Sequence, residues 1–361
     1  MKIIFICTKS ITFNTFLKSQ AEYFIKRGLE VEIACSDTKN LQFKKNLKYD
    51  IDFPTKISDL FKINKYFKVF KQVKILVQKN PKALFYLHTP VASHFFRIFN
   101  FFKKLKIIYF VHGFRFTSIS KPLKKNFFKL IEKILSAKTS IFITINNEDY
   151  EYAKYNLKKK NSFCYKINGV GLNLKNSFKK KIKHKKKIKK ILVIAAYKKE
   201  KGYLEILKVA QMLKNYKIQI VCFGSGEYKK FELIKIKKKL NNIFFNNFDK
   251  NLSNKIDNYD ILLHLSKREG LPVSLMQSLS KGLPVICYKI RGNKDLVKDK
   301  YNGYFIKSYK EVPSRIHFLK LESDVFYQMR LNAVKSIGKD FTNKEINIKI
   351  FKIIKNYQKK F

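Results

Sequence analysis

The side chains best suited to chemistry surround one acidic residue in the second half of the chain. Glu269 follows an apolar run, Ile261–Leu265, that has the length and composition of a buried strand. Gly270 permits a tight turn, and Pro272 suits the first turn of a helix over 273–281, where its missing N–H is not needed. The sequence therefore predicts that Glu269 lies in a strand-to-helix loop, next to the N-terminus of a helix.

Such a loop suits a reaction in which negative charge develops on a phosphate group. A helix N-terminus carries roughly half a positive charge and free N–H groups, and it can hold a diphosphate. In glycosyl transfer the leaving nucleoside diphosphate gains charge as the C–O bond breaks, so donors fixed there act most strongly in the transition state. Glu269 would then hydrogen-bond the sugar hydroxyls and stabilise positive charge near the anomeric carbon. Gln277, within the predicted helix, would bind a neutral part of the ligand.

The elements that must position this loop alternate between short apolar runs and amphipathic stretches. The apolar runs predict strands at 3–7, 29–35, 83–87, 107–111, 140–145, 163–167, 191–195, 218–223, 242–245, 261–265 and 285–288. The stretches between them predict helices at 14–27, 59–79, 121–136, 147–157, 202–214, 228–240 and 273–281, and in the tail near 325–358. This alternation indicates βαβ units and parallel sheets, which bind ligands at the carboxyl ends of their strands.

Length and one lysine-rich segment predict two domains. A chain of 361 residues fits two α/β domains of ordinary size. Residues 175–190 contain ten lysines, and like charges at this density oppose compaction, so we expect an exposed linker there. The domains would span 1–174 and 191–330, followed by a helical segment over 331–361 that packs back on the first domain.

The strongly basic composition leaves three interpretations open. The chain carries 78 Lys+Arg against 26 Asp+Glu, a formal charge of +52 at pH 7. This excess suits an anionic membrane or, less well, nucleic acid, and the abundance of Lys, Ile, Asn and Phe is also typical of an AT-rich genome. Two basic, phenylalanine-rich stretches at 91–106 and 121–135 predict helices that either lie on an anionic membrane or pack into the core.

Several classes of protein are disfavoured by what the sequence lacks. The five cysteines are scattered without a C-x-x-C motif, which predicts reduced thiols in a cytosolic protein without zinc or disulfides. The six histidines show no metal-ligand spacing. We find no signal-peptide pattern and no apolar stretch of 18 residues, so we expect no transmembrane helix. Residues 7–11 contain no glycine, which disfavours a nicotinamide oxidoreductase.

The segment E-G-L-P-V-S-L-M-Q-S-L-S-K-G-L-P-V-I, followed by R-G-N-K-D-L-V, resembles glycosyltransferase family 4. Within that family the chain is most similar to bacterial transferases of capsule, exopolysaccharide and O-antigen assembly. The resemblance implies a GT-B fold, in which two Rossmann-like domains face each other across a cleft, the first binding the acceptor and the second the nucleotide sugar. It also implies retention of anomeric configuration, no metal, and no cofactor beyond the nucleotide-sugar co-substrate.

The resemblance also assigns roles to individual residues. Glu269 would lie near the donor sugar, and Gln277 near the ribose, where the family usually has Glu. Ala196 stands where many members have an Arg that grips the diphosphate. The donor-binding residues would be Lys201, Gly224, Gly226, Arg268, Gly270, Leu271, Pro272, Val273, Gln277, Arg291 and Asn293. In the first half, His112 would face the reacting sugar as a second catalytic residue, and Arg115 and Asn14 would contact the acceptor.

The resemblance thus implies transfer of a hexosyl or N-acetylhexosaminyl group from a UDP-sugar to a hydroxyl of a growing surface glycan. The glycan would be carried on a polyprenyl diphosphate, and the enzyme would be peripheral on the cytoplasmic face of the inner membrane. Two alternatives remain open. One is a sugar-nucleotide epimerase of the same fold, and the other is a non-catalytic basic protein that binds membrane or nucleic acid.

Overall fold

The computed structural model describes residues 1–43, 48–55, 59, 62–173, 182 and 188–359. The chain forms two compact units. Unit 1 comprises Met1–Gly171 together with Asn343–Phe361, and unit 2 comprises Leu172–Thr342. Most of the lysine-rich segment predicted to be an exposed linker, residues 174–181 and 183–187, lies outside the described residues.

Unit 1 is built on a parallel sheet whose seven described strands have the order β3-β2-β1-β4-β5-β6-β7. The strands between the two edges of the sheet are largely apolar and buried because helices cover both faces of a parallel sheet. The strands are β1 Lys2–Ile6, β2 Glu30–Cys35, β3 Lys48–Asp50, β4 Leu84–Leu87, β5 Lys106–Val111, β6 Ile141–Thr144 and β7 Phe163–Lys166.

The helices of unit 1 begin where the local sequence favours a start. Pro90 and Pro122 occupy first-turn positions of two of them, and the Asn146 side chain caps a third by accepting from Asp149 N–H at 2.8 Å. The helices are α1 Ser10–Thr12, α2 Lys18–Lys26, α3 Ile63–Lys79, α4 Pro90–Phe99, α5 Pro122–Ser136 and α6 Asn147–Tyr152, with π-helical turns at Phe13–Leu17 and Ala153–Leu157 and a 3-10 turn at Thr38–Asn40.

Unit 2 repeats this architecture with a parallel sheet whose six described strands have the order β10-β9-β8-β11-β12-β13. The strands are β8 Lys190–Ile194, β9 Gln219–Gly224, β10 Ile243–Asn247, β11 Ile261–His264, β12 Val285–Tyr288 and β13 Gly303–Ile306. The helices are α7 Tyr203–Met212, α8 Lys229–Lys237, α9 Leu252–Lys255, α10 Val273–Ser280, α11 Asn293–Leu296, α12 Val312–Leu321 and α13 Ser323–Ser336, with 3-10 turns at Lys199–Lys201, Ile256–Asn258, Tyr309–Glu311 and Lys339–Phe341.

The last helix, α14 Asn343–Gln358, packs on unit 1. The Phe351 ring contacts Tyr23 and Phe24 on α2, each at 6.0 Å between centroids, and Asn347 Nδ2 donates to Ser19 O at 3.3 Å. The predicted domain end at 330 falls inside α13, and unit 2 continues to Thr342.

The predicted α/β class, with two parallel-sheet Rossmann-like domains, is confirmed. Each predicted strand is present with ends shifted by at most two residues, whereas β3 and β13 had no counterpart in the prediction. The phenylalanine-rich stretch at 91–106 packs largely into the core, because Phe95, Phe96 and Arg97 on α4 are buried. Phe101 and Phe102, which follow that helix, are exposed.

Candidate functional site

Two oppositely charged side chains meet at the carboxyl edge of the unit 2 sheet. Glu269 lies in the loop between β11 and α10, and Lys201 ends the 3-10 turn that follows β8. Strands β8 and β11 are hydrogen-bonded neighbours, so the loops after them leave the sheet side by side. Lys201 Nζ donates to Glu269 Oε1 at 2.6 Å.

The Glu269 carboxyl group is held in its ionised form. His264, the last residue of β11, places Nε2 3.3 Å from Glu269 Oε1. Burial alone would raise the pKa of Glu269, but the His264 ring and the Lys201 ammonium group outweigh that effect and lower it to about 2. The site therefore presents a partly buried carboxylate that stays charged at every physiological pH.

The loop that carries Glu269 is fixed by its backbone contacts. Arg291 Nε donates to Glu269 O at 2.8 Å, and Lys267 N–H donates to Glu200 O at 2.9 Å. Gly292 adopts φ +76°, and a Cβ there would collide with Gly270 O, so only glycine allows this close approach. Side-chain truncation at Glu269 should therefore leave the course of the loop intact.

The N-terminus of α10 follows directly after this loop. Pro272 is the residue before the helix, with ψ 119°, and no side chain caps the helix. The helix begins at Val273 as predicted, but the placement of Pro272 in the first helical turn is wrong, because its backbone is extended. The first N–H groups of a helix have no helical carbonyl partner, and together with the helix dipole they favour an anion.

The loops after β8 and β9 also lie together. Gly224 ends β9, and a Cβ there would collide with Ala195 O. Gly226 follows with φ +101°, and Tyr197 N–H donates to Ser225 O at 2.9 Å. Gly224 therefore allows the two loops to pack closely, and one of them, the loop after β8, supplies Lys201.

The remaining predicted donor-binding residues differ in how they are placed. Gln277 is half-buried on α10, and its side-chain amide has no hydrogen-bond partner within the described residues. Arg268 is exposed. Arg291 and Asn293 are buried, and Asn293 Nδ2 donates to Tyr288 O at 2.9 Å. Leu271, Pro272 and Val273 form the turn into α10, with Leu271 and Pro272 buried.

Two features of this site were missed by sequence reasoning. His264 was treated as part of the apolar run at 261–265, although one polar residue in such a run was a signal. Glu205 on α7 was not considered, yet its carboxylate accepts from Tyr288 Oη at 2.8 Å and lies 3.0 Å from Lys267 Nζ. These contacts hold Lys267, two residues before Glu269.

In unit 1 the three predicted residues lie in different surroundings. His112 follows β5, is partly exposed, and places Nε2 3.3 Å from His88 Nδ1. Arg115 is exposed, with its guanidinium 5.4 Å from the centroid of Phe128. Asn14 uses its amide within the protein, since Nδ2 donates to Asn40 O at 2.9 Å and Oδ1 accepts from Gln42 N–H at 3.0 Å.

The described residues contain neither a cluster suited to a metal ion nor a helix suited to span a membrane. No group of three or more His, Cys, Asp or Glu side chains in the described ranges is arranged to hold a metal ion. Within the same ranges, no helix combines the length and apolar character needed to cross a bilayer.

Family models match both halves of the chain. The glycosyl transferase 4-like family matches residues 2–146, and the group 1 glycosyl transferases match residues 175–331. The second match contains the Lys201–Glu269 pair and the whole of α10, whereas the first contains His112.

Relatives and solved structures agree with these models. The putative glycosyltransferase EpsD of Bacillus subtilis is 26% identical over 85% of this chain and 83% of its own length. The UDP-Gal:alpha-D-GlcNAc-diphosphoundecaprenol alpha-1,3-galactosyltransferase of Escherichia coli is 26% identical over 70% of this chain and 67% of its own.

The solved structures are similar in fold over the whole chain. Sucrose-phosphate synthase from Thermosynechococcus elongatus superposes with a TM-score of 0.82 at 12% identity, covering 100% of both chains. Anabaena HepE, solved in complex with UDP and glucose, gives 0.76 at 15% identity, covering 99% of this chain and 100% of its own. With its two parallel-sheet units, its matches to both family models and its charged strand-edge site, the chain belongs to the family 4 glycosyltransferases of GT-B fold, which use nucleotide sugars.

Proposed function

We propose that this protein is a retaining, metal-independent glycosyltransferase that moves a hexosyl or N-acetylhexosaminyl group from a UDP-sugar to a hydroxyl of a glycan carried on a polyprenyl diphosphate. The observation that carries the proposal is the Lys201–Glu269 pair beside the uncapped N-terminus of α10. Together, the pair and the helix N-terminus offer a cation and N–H groups for the diphosphate and a carboxylate for the sugar.

The reaction uses these groups at different points. As the anomeric C–O bond of the donor breaks, its electron pair passes to the departing UDP, whose added charge is stabilised by the Lys201 ammonium group and the α10 N–H groups. Glu269, already ionised, stabilises the positive charge that develops on the sugar ring. The acceptor hydroxyl attacks from the same face, and its proton passes to the departing phosphate. We assign no general base among the protein side chains.

The names of the similar proteins support the choice of donor and acceptor. HepE was solved with UDP and glucose, and the name of the E. coli relative specifies a UDP-linked galactose and a diphosphoundecaprenol-linked acceptor. We carry both features over to this chain as part of the proposal.

An epimerase would convert the sugar nucleotide without releasing UDP, so the reaction products distinguish an epimerase from a transferase.

The exposed face of α5 supports contact with an anionic membrane, and the cytoplasmic face is part of the proposal. Four apolar side chains with helical spacing are 53–88% exposed, and they are Leu123, Phe127, Leu130 and Ile134. The exposed Lys124 and Lys133 lie on either side of this stripe. Such a helix can place its apolar face in the interface while its lysines contact anionic headgroups.

Flotation with vesicles tests the membrane contact. We expect the protein to float with phosphatidylglycerol vesicles but not with neutral phosphatidylcholine vesicles, and Leu130→Glu to abolish flotation. Leu321→Glu, at a side chain 68% exposed in unit 2, is the matched control and should float normally. Equal flotation of the wild type and Leu130→Glu would refute the assignment of α5.

The catalytic proposal is tested by hydrolysis of a panel of sugar nucleotides without acceptor. We expect release of UDP from at least one UDP-sugar, in the presence of EDTA, and a loss of about 10²- to 10³-fold in Glu269→Gln. Glu30→Gln removes a carboxylate at the amino end of β2 and should leave the rate unchanged. Full turnover in Glu269→Gln, or a sugar nucleotide converted without release of UDP, would overturn the proposal.

A further inference from the structure

A second histidine lies buried beneath His112, and the proposed reaction gives it no role. His88 follows β4, and its backbone N–H donates to Ile6 O at 2.9 Å. Its side chain is fully buried. The ring stacks on Phe5, with 5.6 Å between centroids and an interplanar angle of 7°. Its Nδ1 lies 3.3 Å from Nε2 of His112, so the two rings share one hydrogen bond.

Both imidazoles are neutral near neutral pH. Burial lowers the pKa of His112 to about 4. Burial, together with the neighbouring His112, also holds the pKa of His88 well below its ordinary value. A neutral imidazole has one N–H donor and one acceptor nitrogen. Therefore, one ring donates the shared hydrogen bond and the other accepts it, and the choice sets the tautomer of both rings.

The far side of His88 decides which ring donates. Its Nε2 is buried and has no hydrogen-bond partner among the described residues, and its ring is surrounded by Phe5, Tyr86 and Phe110. A proton on Nε2 would leave a buried N–H unsatisfied, which is rarer in proteins than an unsatisfied acceptor. An N–H contact with a ring face compensates only weakly. The proton of His88 therefore belongs on Nδ1, from which it is donated to His112.

This arrangement sets the chemistry of the partly exposed ring. Because His112 Nε2 accepts from His88, the proton of His112 must lie on Nδ1, which has no partner among the described residues. We propose that His88 is a positioning residue that fixes His112 in the Nδ1–H tautomer, so that His112 offers a neutral hydrogen-bond donor to a ligand oxygen. The identity of that oxygen, a sugar hydroxyl or a phosphate oxygen of donor or acceptor, rests on the proposed function.

Ring-nitrogen NMR of the ¹⁵N-labelled wild-type protein tests the tautomer directly. Long-range ¹H–¹⁵N correlations distinguish a protonated from an unprotonated ring nitrogen, and loss of a signal in His112→Asn assigns the residue. We expect His112 to be protonated on Nδ1 and His88 on Nδ1, at pH 7. A His112 ring protonated on Nε2 would overturn the proposal, whatever the protein catalyses.

Variants of His88 separate positioning from packing. His88→Asn keeps an N–H donor near the position of Nδ1, whereas His88→Leu removes it. We expect kcat/KM for sugar transfer to fall about ten-fold in His88→Leu, the effect of one lost hydrogen bond, and to recover in His88→Asn. Tyr86→Phe removes a neighbouring buried hydroxyl and should leave both the rate and the His112 tautomer unchanged.

The outcomes are distinguishable from failure of the proposed function. Equal losses in His88→Leu and His88→Asn, with the His112 tautomer unchanged, would show that His88 acts only through packing, which would overturn the inference. Absence of sugar transfer in the wild type would refute the proposed function, while the NMR spectrum would still decide the tautomer.

Discussion

The chain contains two ion pairs whose carboxyl groups have equally lowered pKa values. The two pairs differ in how far the protein encloses them. In unit 1, Arg97 on α4 and Glu132 on α5 approach to 2.8 Å, with side chains 0% and 4% exposed. In unit 2, Lys201 and Glu269 approach to 2.6 Å, with side chains 21% and 13% exposed. The pKa of each carboxyl group lies at about 2. A strongly shifted pKa therefore does not by itself identify a site.

The difference lies in what else the charged groups contact. Arg97 also donates to Ser93 Oγ at 3.2 Å and lies 4.3 Å from the centroid of Tyr109. Glu132 also contacts His94 at 3.4 Å. The Lys201 ammonium group makes one hydrogen bond within the described residues, to Glu269, although it has three donors. Unit 1 thus contains a closed pair that fixes two helices, and unit 2 contains an open pair that can bind a ligand.

The largest expected effect is on turnover. Glu269→Gln should lower it by about 10²- to 10³-fold, while the loop keeps its course because it is fixed by backbone contacts. Glu132→Gln should leave the turnover of the folded fraction near that of wild type. Rates normalised to the folded fraction, determined by circular dichroism, measure both. A comparable loss of turnover in Glu132→Gln would show that the two pairs do not differ in their contribution to turnover.

The next effect is on stability, and we expect it for the fully buried pair in unit 1. Removing one partner of a buried pair leaves the other charge uncompensated, so Glu132→Gln should lower the free energy of unfolding by about 3–5 kcal/mol. Urea denaturation followed by circular dichroism measures this change. The matched control is Asp52→Asn, which removes a half-exposed carboxylate paired with Lys68 at 3.3 Å. A loss as small as that of the control would show that the buried pair is not needed for packing of α4 and α5.

Sequence reasoning succeeded where the signal is local and failed where a role depends on contacts between elements. A buried strand of a parallel sheet can be predicted from a short apolar run alone, so most strands and the Glu269 loop were predicted correctly. Strand β3, Lys48–Asp50, was missed because it is a three-residue edge strand of polar and charged residues. The burial of Arg97 was not foreseeable, because its partner lies 35 residues away on another helix. His264 was missed because it ends an apolar run, and its ring meets Glu269 only through the turn of the loop. His88 was missed because its partner, His112, lies on a different loop of the sheet.

Acid should weaken both pairs, in the same pH range. Each carboxyl group has a folded-state pKa of about 2 against an ordinary value of 4.5. A lowered folded-state pKa gives stability that is fully present above about pH 4.5 and is lost as the pH falls towards 2. We expect the urea midpoint to fall across that range, and Glu132→Gln to flatten its dependence on pH. An unaltered pH dependence in that variant would mean that Glu132 does not ionise as the contacts of Arg97 require.

The smallest expected effect concerns the cation of the open pair. Lys201→Ala removes one charge-assisted contact to the diphosphate, so UDP affinity should fall by about ten-fold or somewhat more. Titration calorimetry at two salt concentrations measures the loss, which should shrink at higher salt because the contact is electrostatic. Lys208→Ala, at an exposed position on the adjoining helix α7, serves as the matched control and should bind UDP normally. If Lys201→Ala bound UDP as tightly as that control, the ammonium group would be only a counterion for Glu269. The pair in unit 2 would then bind no diphosphate and, like the pair in unit 1, would only stabilise the fold.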